Sequence, residues 1–387
     1  MKTMFNSNVL NELNKAFASS PKGFLVVDNG VPRFAVLPFS SYQLMKTRAT
    51  PALSPALDSV IVKKVLITGG AGYIGSHTVR ILEEQGVEVV VYDNLSTGRE
   101  KAIKNSRLIV GDLSDRKKLS EVFSKHKFDA VIHFVAFIET EESVINPAKY
   151  YENNVVNGLN LLEAMVAHKV YKIVFSSSAA VYGEPKKQPV SEEEICQPAN
   201  PYGETKYCFE NILKSYGAAY GVSSVSLRYF NAAGAWPEEG LGYAIRGGNS
   251  HLIPRVLNVA AGKEREIGVF GQDYDTADGT CIRDYIHVLD LAEAHILALT
   301  KLDEESGNFV YNVGTGRGFS VLEVIDKAME VTGKMIPMSV KERRAGDPSE
   351  LVADSGLIQK ELGWKPKYGL QEILQSSWEW HKKLLGS

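Results

Sequence analysis

The chain of 387 residues is 44% hydrophobic and 23% charged, and none of its apolar runs is long enough to cross a bilayer, which excludes wholesale disorder and a helical membrane protein. A formal net charge of -3 at pH 7 argues against a general nucleic-acid binder, which carries a basic excess, so an acidic small ligand must be met by local donors. Cys196, Cys208 and Cys281 stand in no metal-ligand spacing and the first residues carry no secretory or transit signal, so reduced thiols and a cytoplasmic location are expected.

In chain order, residues 1–60 read as an appendage of unknown function. Gly23 to Val27, the turn Asp28-Asn29-Gly30 and Pro32 to Leu37 predict a β-hairpin flanked by helical patterns, and Ala49 to Pro55 reads as a linker. Residues 61–230 alternate apolar strands with helical stretches. Expected strands are Lys64 to Ile67, Glu88 to Tyr92, Leu108 to Val110, Ala130 to Phe134, Lys172 to Phe175 and Ser224 to Leu227. Continuous apolar strands separated by helices imply a parallel sheet covered on both faces, hence a doubly wound α/β Rossmann unit. Residues 231–387 loosen into Gly- and Pro-bearing loops with helices at Ser320 to Val331 and Leu370 to Leu385, which suits a smaller α/β substrate-binding lobe partly interleaved with the first unit.

The first strand of that unit runs into Thr68-Gly69-Gly70-Ala71-Gly72-Tyr73-Ile74-Gly75, which satisfies G-x-G-x-x-G. Glycines there make the tight turn, let backbone approach a pyrophosphate and allow close packing of helix on strand. The helix that follows aims its N-terminal amides at the phosphates. Asp93 ends the second strand, where a carboxylate accepts from both ribose hydroxyls and repels a 2'-phosphate, favouring NAD over NADP. Tyr202-Gly203-Glu204-Thr205-Lys206 is a Y-x-x-x-K signature, and four residues on a helix put both side chains on one face. A free phenol is too weakly acidic to serve as a base at neutral pH, and a neighbouring ammonium, helped by the positive charge of oxidised nicotinamide, is expected to draw it down so that Tyr202 can take a hydroxyl proton.

These motifs, with Phe175-Ser176-Ser177-Ser178-Ala179-Ala180-Val181-Tyr182-Gly183, Leu227-Arg228-Tyr229-Phe230-Asn231, Ser250-His251-Leu252-Ile253-Pro254 and Arg283-Asp284-Tyr285-Ile286-His287-Val288, resemble nucleotide-sugar epimerases of the extended short-chain dehydrogenase/reductase family, the UDP-glucose 4-epimerases among them. The resemblance runs from about Val62 to Trp380. It implies that Tyr202, Lys206 and Ser178 are catalytic. It implies that Gly69, Gly72, Tyr73, Ile74, Gly75, Asp93, Asn94, Asp112, Leu113, Phe134, Val135, Ala136, Asn153, Ser176 and Tyr229 hold NAD beside Tyr202 and Lys206. A UDP-sugar would meet Ser178, Tyr202, Asn231, His251, Leu252, Val269, Phe270, Arg283, Arg344 and Asp347, with the arginines on the diphosphate, Asp347 on the ribose, and Val269 and Phe270 offering backbone and an aromatic face to uracil.

The implied activity is interconversion of UDP-glucose and UDP-galactose by transient oxidation at C4, in a homodimer with no nucleic-acid or membrane partner. Ala179-Ala180 stand where sugar dehydratases of the superfamily carry an acid pair, so dehydration is not expected. Leu351 lines the implied sugar pocket and leaves open an epimerase of UDP-N-acetylhexosamines or UDP-uronates; a non-catalytic NAD-binding regulator is the remaining alternative. The chain departs from the family at Val135, Ile138 and Glu139-Thr140-Glu141-Glu142-Ser143, where F-A-G or F-A-A, Lys or Ser, and V-G-E-S are usual, and that departure bears on the strength of NAD binding.

Overall fold

The computed structural model describes residues 24–28, 31–36, 62–243, 251–344 and 346–386. In the N-terminal unit, Phe24–Asp28 pairs antiparallel with Val31–Val36 around the predicted turn, with an irregularity in register between Val26 and Val27. The predicted flanking helices and the Ala49 to Pro55 linker lie outside the described residues.

The body is organised by a seven-stranded sheet. Its order is Asn308–Val313, Ser223–Tyr229, Lys172–Ser176, Ala130–His133, Lys64–Thr68, Glu88–Asp93 and Arg107–Val110, and every neighbouring pair is parallel. Parallel pairing demands crossover helices, and those helices cover both faces, which is why the central strands are apolar throughout. Val65, Leu66, Ile67, Ala130, Val131 and Ile132 are all buried. The strand order reverses beside Lys64–Thr68, so a crevice opens at the C-terminal ends of Lys64–Thr68 and Ala130–His133, the place where open α/β sheets bind ligands.

Residues beyond Asn231 also build this sheet. Asn308–Val313 extends it beyond Ser223–Tyr229, and the helix Val288–Glu304, buried along most of its length, packs against the sheet and the helix Tyr73–Glu84. The rest of the C-terminal half is a second lobe. Ile282–His287 pairs with Gly318–Ser320, Glu350–Leu351 and Asn231–Ala233, while Ile267–Phe270 runs parallel to Met338–Lys341. The helices Leu252–Ala260, Val321–Thr332 and Leu370–Leu385 close over a core that includes Ile253, Leu257, Val269, Ile325 and Ile373. Ser320 caps Val321–Thr332 in a full capping box with Glu323, so this predicted helix begins where its side-chain acceptor stands.

Candidate active site

The glycine turn is shaped as its residue types require. Gly69 adopts φ +75, a conformation that favours glycine, and a Cβ there would sit 3.0 Å from the Val135 amide nitrogen. A Cβ on Gly75 would come within 2.4 Å of the Gly69 carbonyl, so the helix and the turn touch backbone to backbone. The helix Tyr73–Glu84 starts at Gly72 with no side-chain cap, so no N-cap side chain competes for its first amides. Ile74 lies in that first turn. Tyr73 ties the same turn to the second lobe: its hydroxyl donates to the Gly234 carbonyl at 2.6 Å, and its ring meets Tyr243 edge-on.

Asp93 is buried at the end of its strand, and burial raises its carboxyl above the ordinary value, opposed by the Leu95 and Ala71 amides that donate to it at 2.8 and 2.9 Å. Each carboxylate oxygen retains a further acceptor site, enough for two adjacent hydroxyls. Asn94 donates to Asp112 at 2.6 Å, and Tyr92 donates to the Asp112 carbonyl, so the ends of the second and third strands are tied together beside buried Leu113. A turn that any side chain would obstruct, helix amides with no side-chain cap and a buried carboxylate at the end of the neighbouring strand fit a dinucleotide.

On the other side of the reversal, Phe134, Val135 and Ala136 leave the strand Ala130–His133 half-buried. Asn154 fixes the loop they begin: its oxygen accepts from the Phe137 amide at 2.8 Å, and its nitrogen donates to the Phe137 carbonyl at 3.0 Å and to Thr205 at 3.1 Å. One side chain thus joins the loop after Ala130–His133 to the helix that carries Tyr202. Asn154 can do this because residues Glu152–Val156 form a π-helical turn, a widening often found at functional sites. Asn153, half-buried beside it, donates to Asn154 at 2.9 Å.

The helix Pro201–Tyr220 begins at Asn200, whose side chain accepts from the Gly203 amide, with Pro201 in the first position where an amide has no partner to lose. Tyr202 and Lys206 are buried one turn apart. The Lys206 ammonium stands 6.0 Å from the centre of the Tyr202 ring and donates to the Ser176 carbonyl at 2.6 Å. Burial pushes Lys206 down to about 7, with Glu210 pulling the other way. Tyr202 is raised by burial; its hydrogen bond with Ser178 lowers it and the Glu139 charge raises it further. Among the protein's own groups burial therefore outweighs Lys206; the expected lowering rests jointly on Lys206 and the nicotinamide charge. Desolvation of the phenolate outweighs an ammonium that is itself held at a carbonyl.

Ser178 caps a short turn, accepting from the Ala180 amide at 3.1 Å, and the Ser176 hydroxyl is hydrogen-bonded to the hydroxyl of Tyr229. Behind them lies a charge pair that the sequence reading did not single out. Arg228 donates to both oxygens of Glu210, at 2.9 and 2.6 Å, and to Tyr182 at 3.0 Å, while Ser177 donates to Glu210 at 2.5 Å. Both charges are buried. Glu210 is one turn past Lys206 on the same helix, a spacing that could have flagged it. His295 was missed as well: its ring lies 4.6 Å from that of Phe134 and 6.0 Å from that of Tyr229.

The second lobe divides the predicted substrate residues into distinct groups. Asn231 starts the short strand Asn231–Ala233 beside Tyr285. His251 is half-buried, its ring edge-on to Tyr243 at 5.3 Å, and burial lowers its imidazole while Glu139 raises it. Leu252 packs on the lobe core as the next helix begins. Val269 buries its side chain in that core, so only its backbone is available to a ligand, whereas Phe270 carries the Arg344 guanidinium on its face at 4.1 Å. Arg283 is paired with Asp347 and donates to the Pro348 carbonyl at 2.7 Å, so two residues predicted to meet different parts of a ligand are joined to each other. Leu351 packs with Tyr182, Val190 and Phe230, close in sequence or space to the turn that holds Ser178.

Residues 65–314 match the model of the NAD dependent epimerase/dehydratase family. The UDP-glucose 4-epimerase of Halalkalibacterium halodurans is 49% identical over 320 residues, covering 82% of this chain and 96% of that relative. A UDP-glucose 4-epimerase from Brucella ovis in complex with NAD is 46% identical, with a TM-score of 0.79 over 82% of this chain and 97% of that one. The UDP-Glc/GlcNAc 4-epimerase from Campylobacter jejuni is 45% identical, with a TM-score of 0.73 over 83% of this chain and 99% of that one.

Proposed function

The chain belongs to the NAD dependent epimerase/dehydratase family, and from that premise we propose that it is an NAD-dependent isomerase interconverting UDP-glucose and UDP-galactose. The observation that carries this reading is the buried Tyr202, hydrogen-bonded to Ser178 and followed one turn later by Lys206, beside a glycine turn built for a dinucleotide.

NAD, when bound, would supply a reversible hydride acceptor at sugar C4, the chemistry that lets a 4-keto sugar be reduced from its opposite face. Gly69, Gly72, Tyr73, Ile74 and Gly75 would hold its pyrophosphate, Asp93 with Asn94 its ribose, and Asp112 and Leu113 its adenine. Phe134, Val135, Ala136, Asn153, Ser176 and Tyr229, with Lys206, wall the other end. Tyr202 takes the 4-hydroxyl proton through Ser178 and gives it back to the new alcohol. Burial raises the phenol, so its ionisation depends on positive charge arriving beside it. Asn231, Arg283 and Arg344 hold the diphosphate, His251 and Leu252 border it, Val269 and Phe270 receive uracil, and Asp347 receives the ribose. Holding the nucleotide while leaving the sugar loosely contacted lets the keto sugar present either face.

The cofactor-binding unit takes in residues 61–230 together with the helix and strand at Val288–Glu304 and Asn308–Val313; the remaining C-terminal residues form the substrate lobe. Exposed apolar side chains at Val144, Ile145, Tyr151 and Val156 support a homodimer packed through helices of the cofactor-binding unit. The three cysteines are unpaired, which supports a cytoplasmic location; among the described residues no helix is long and apolar enough to cross a membrane. Incubating the protein with UDP-galactose and analysing the sugar released by mild acid tests the activity. Tyr202→Phe is expected to keep UDP affinity and lose about 10²- to 10⁴-fold in kcat, and undiminished turnover would refute the assignment. Leu351 in the implied sugar pocket leaves a UDP-N-acetylhexosamine substrate open, and turnover of UDP-N-acetylgalactosamine against UDP-galactose separates the two.

A further inference from the structure

Glu141 lies in the first turn of the helix Thr140–Ile145. Its neighbour Glu142 is engaged within the cofactor-binding unit, by Lys149 at 2.5 Å and Tyr150 at 3.0 Å. Glu141 instead reaches across to the substrate lobe, where its Oε1 stands 2.9 Å from Nε of Arg344. The N–H is not aligned on that oxygen, so the contact is coulombic rather than a directed hydrogen bond. Arg344 is also held by the face of Phe270, 4.1 Å below its guanidinium.

We infer that Glu141 competes with the substrate diphosphate for the Arg344 guanidinium and thereby sets the affinity for the nucleotide sugar. This rests on the reading of Arg344 as a diphosphate ligand. A carboxylate at 2.9 Å neutralises the guanidinium that a diphosphate must approach. Phosphate oxygens can engage the guanidinium fork with directed, bidentate bonds, which the misaligned carboxylate does not make. Both partners are partly exposed, 32% for Arg344 and 65% for Glu141, so the pair is weak and exchangeable. Phe270 keeps the guanidinium plane in place whichever anion it faces, so the exchange needs no refolding of the loop. Glu141 acts through Arg344 and touches no reacting atom.

The test is steady-state kinetics with UDP-galactose and competitive inhibition by UDP, for the wild type, Glu141→Gln, Arg344→Gln and the double variant. Glu141→Gln keeps the side chain's size and sits at an exposed position, and a thermal midpoint unchanged from the wild type verifies folding. At low salt it is expected to lower KM and the UDP inhibition constant together by about two- to fivefold, the scale of an exposed ion pair, with kcat unchanged. The gain should fade at about 0.5 M salt, where screening extends only a few ångströms, and vanish in the Arg344→Gln background. If Arg344→Gln raises KM while Glu141→Gln leaves it unmoved or raises it, competition is overturned and the anchor stands. If Arg344→Gln leaves KM unchanged, the diphosphate reading of Arg344 falls and takes the competition with it.

Discussion

Replacing Glu210 by Gln removes one charge from the buried pair behind Ser176 and Ser178 while leaving the volume almost unchanged. Arg228 donates two hydrogen bonds to that carboxylate, at 2.9 and 2.6 Å, and Ser177 donates a third at 2.5 Å. Arg228 and Glu210 are only 4% and 2% exposed, so water cannot take the missing partner's place. A buried charge left alone costs about 3–5 kcal/mol. Glu210→Gln is therefore expected to lose about that much in urea unfolding at pH 7. Because Ser177 sits between Ser176, which receives the Lys206 ammonium, and Ser178, which meets Tyr202, kcat should also fall while UDP affinity holds. Replacing both partners with apolar residues, Arg228→Met with Glu210→Leu, removes the orphaned charge and should be less damaging than the sum of the single changes. A loss below about 1 kcal/mol in Glu210→Gln, the range of exposed pairs, would refute the claim that this pair is desolvated.

Lys206 makes stability depend on pH. Its folded value, about 7, lies below the ordinary lysine value, so between the two the unfolded chain binds a proton that the folded chain has released. Stability should then rise with pH from about 7 upward, and Lys206→Met should show less of that rise when both are unfolded in urea at pH 7 and pH 9; parallel pH profiles would contradict the burial argument. Gly75→Ala puts a methyl 2.4 Å from the Gly69 carbonyl, with backbone on both sides and no rotamer to yield, so bound NAD should be lost and stability should fall by about 1–3 kcal/mol. NAD content of the purified variant equal to wild type would overturn the close-packing reading. Asp93→Ala should narrow the preference for NAD over NADP in calorimetric binding, and unchanged selectivity would count against Asp93 as the ribose acceptor.

The strands at Lys64, Glu88, Ala130 and Lys172 were legible because a sheet covered on both faces demands continuous apolar runs, which few other environments tolerate. Asn308–Val313 was not, because its partner Ser223–Tyr229 is far away in sequence and its own pattern is not distinctive. Asn154, Arg228 and His295 escaped for a related reason: a polar residue in a helix or strand acquires its role from what folding sets against it.

From the sequence alone came the residue types that chemistry requires at fixed local spacing: glycines where backbone must touch backbone, a phenol and an ammonium one helical turn apart, and a carboxylate at a strand end. These are decided within a few residues of one another, so they can be read along a line. Tertiary structure alone decided the electrostatics. Burial raises Tyr202 and lowers Lys206, and it is packing from distant segments that excludes the water. The meeting of Glu141 with Arg344 belongs to the same class, since it depends on how two lobes close on each other rather than on any local pattern.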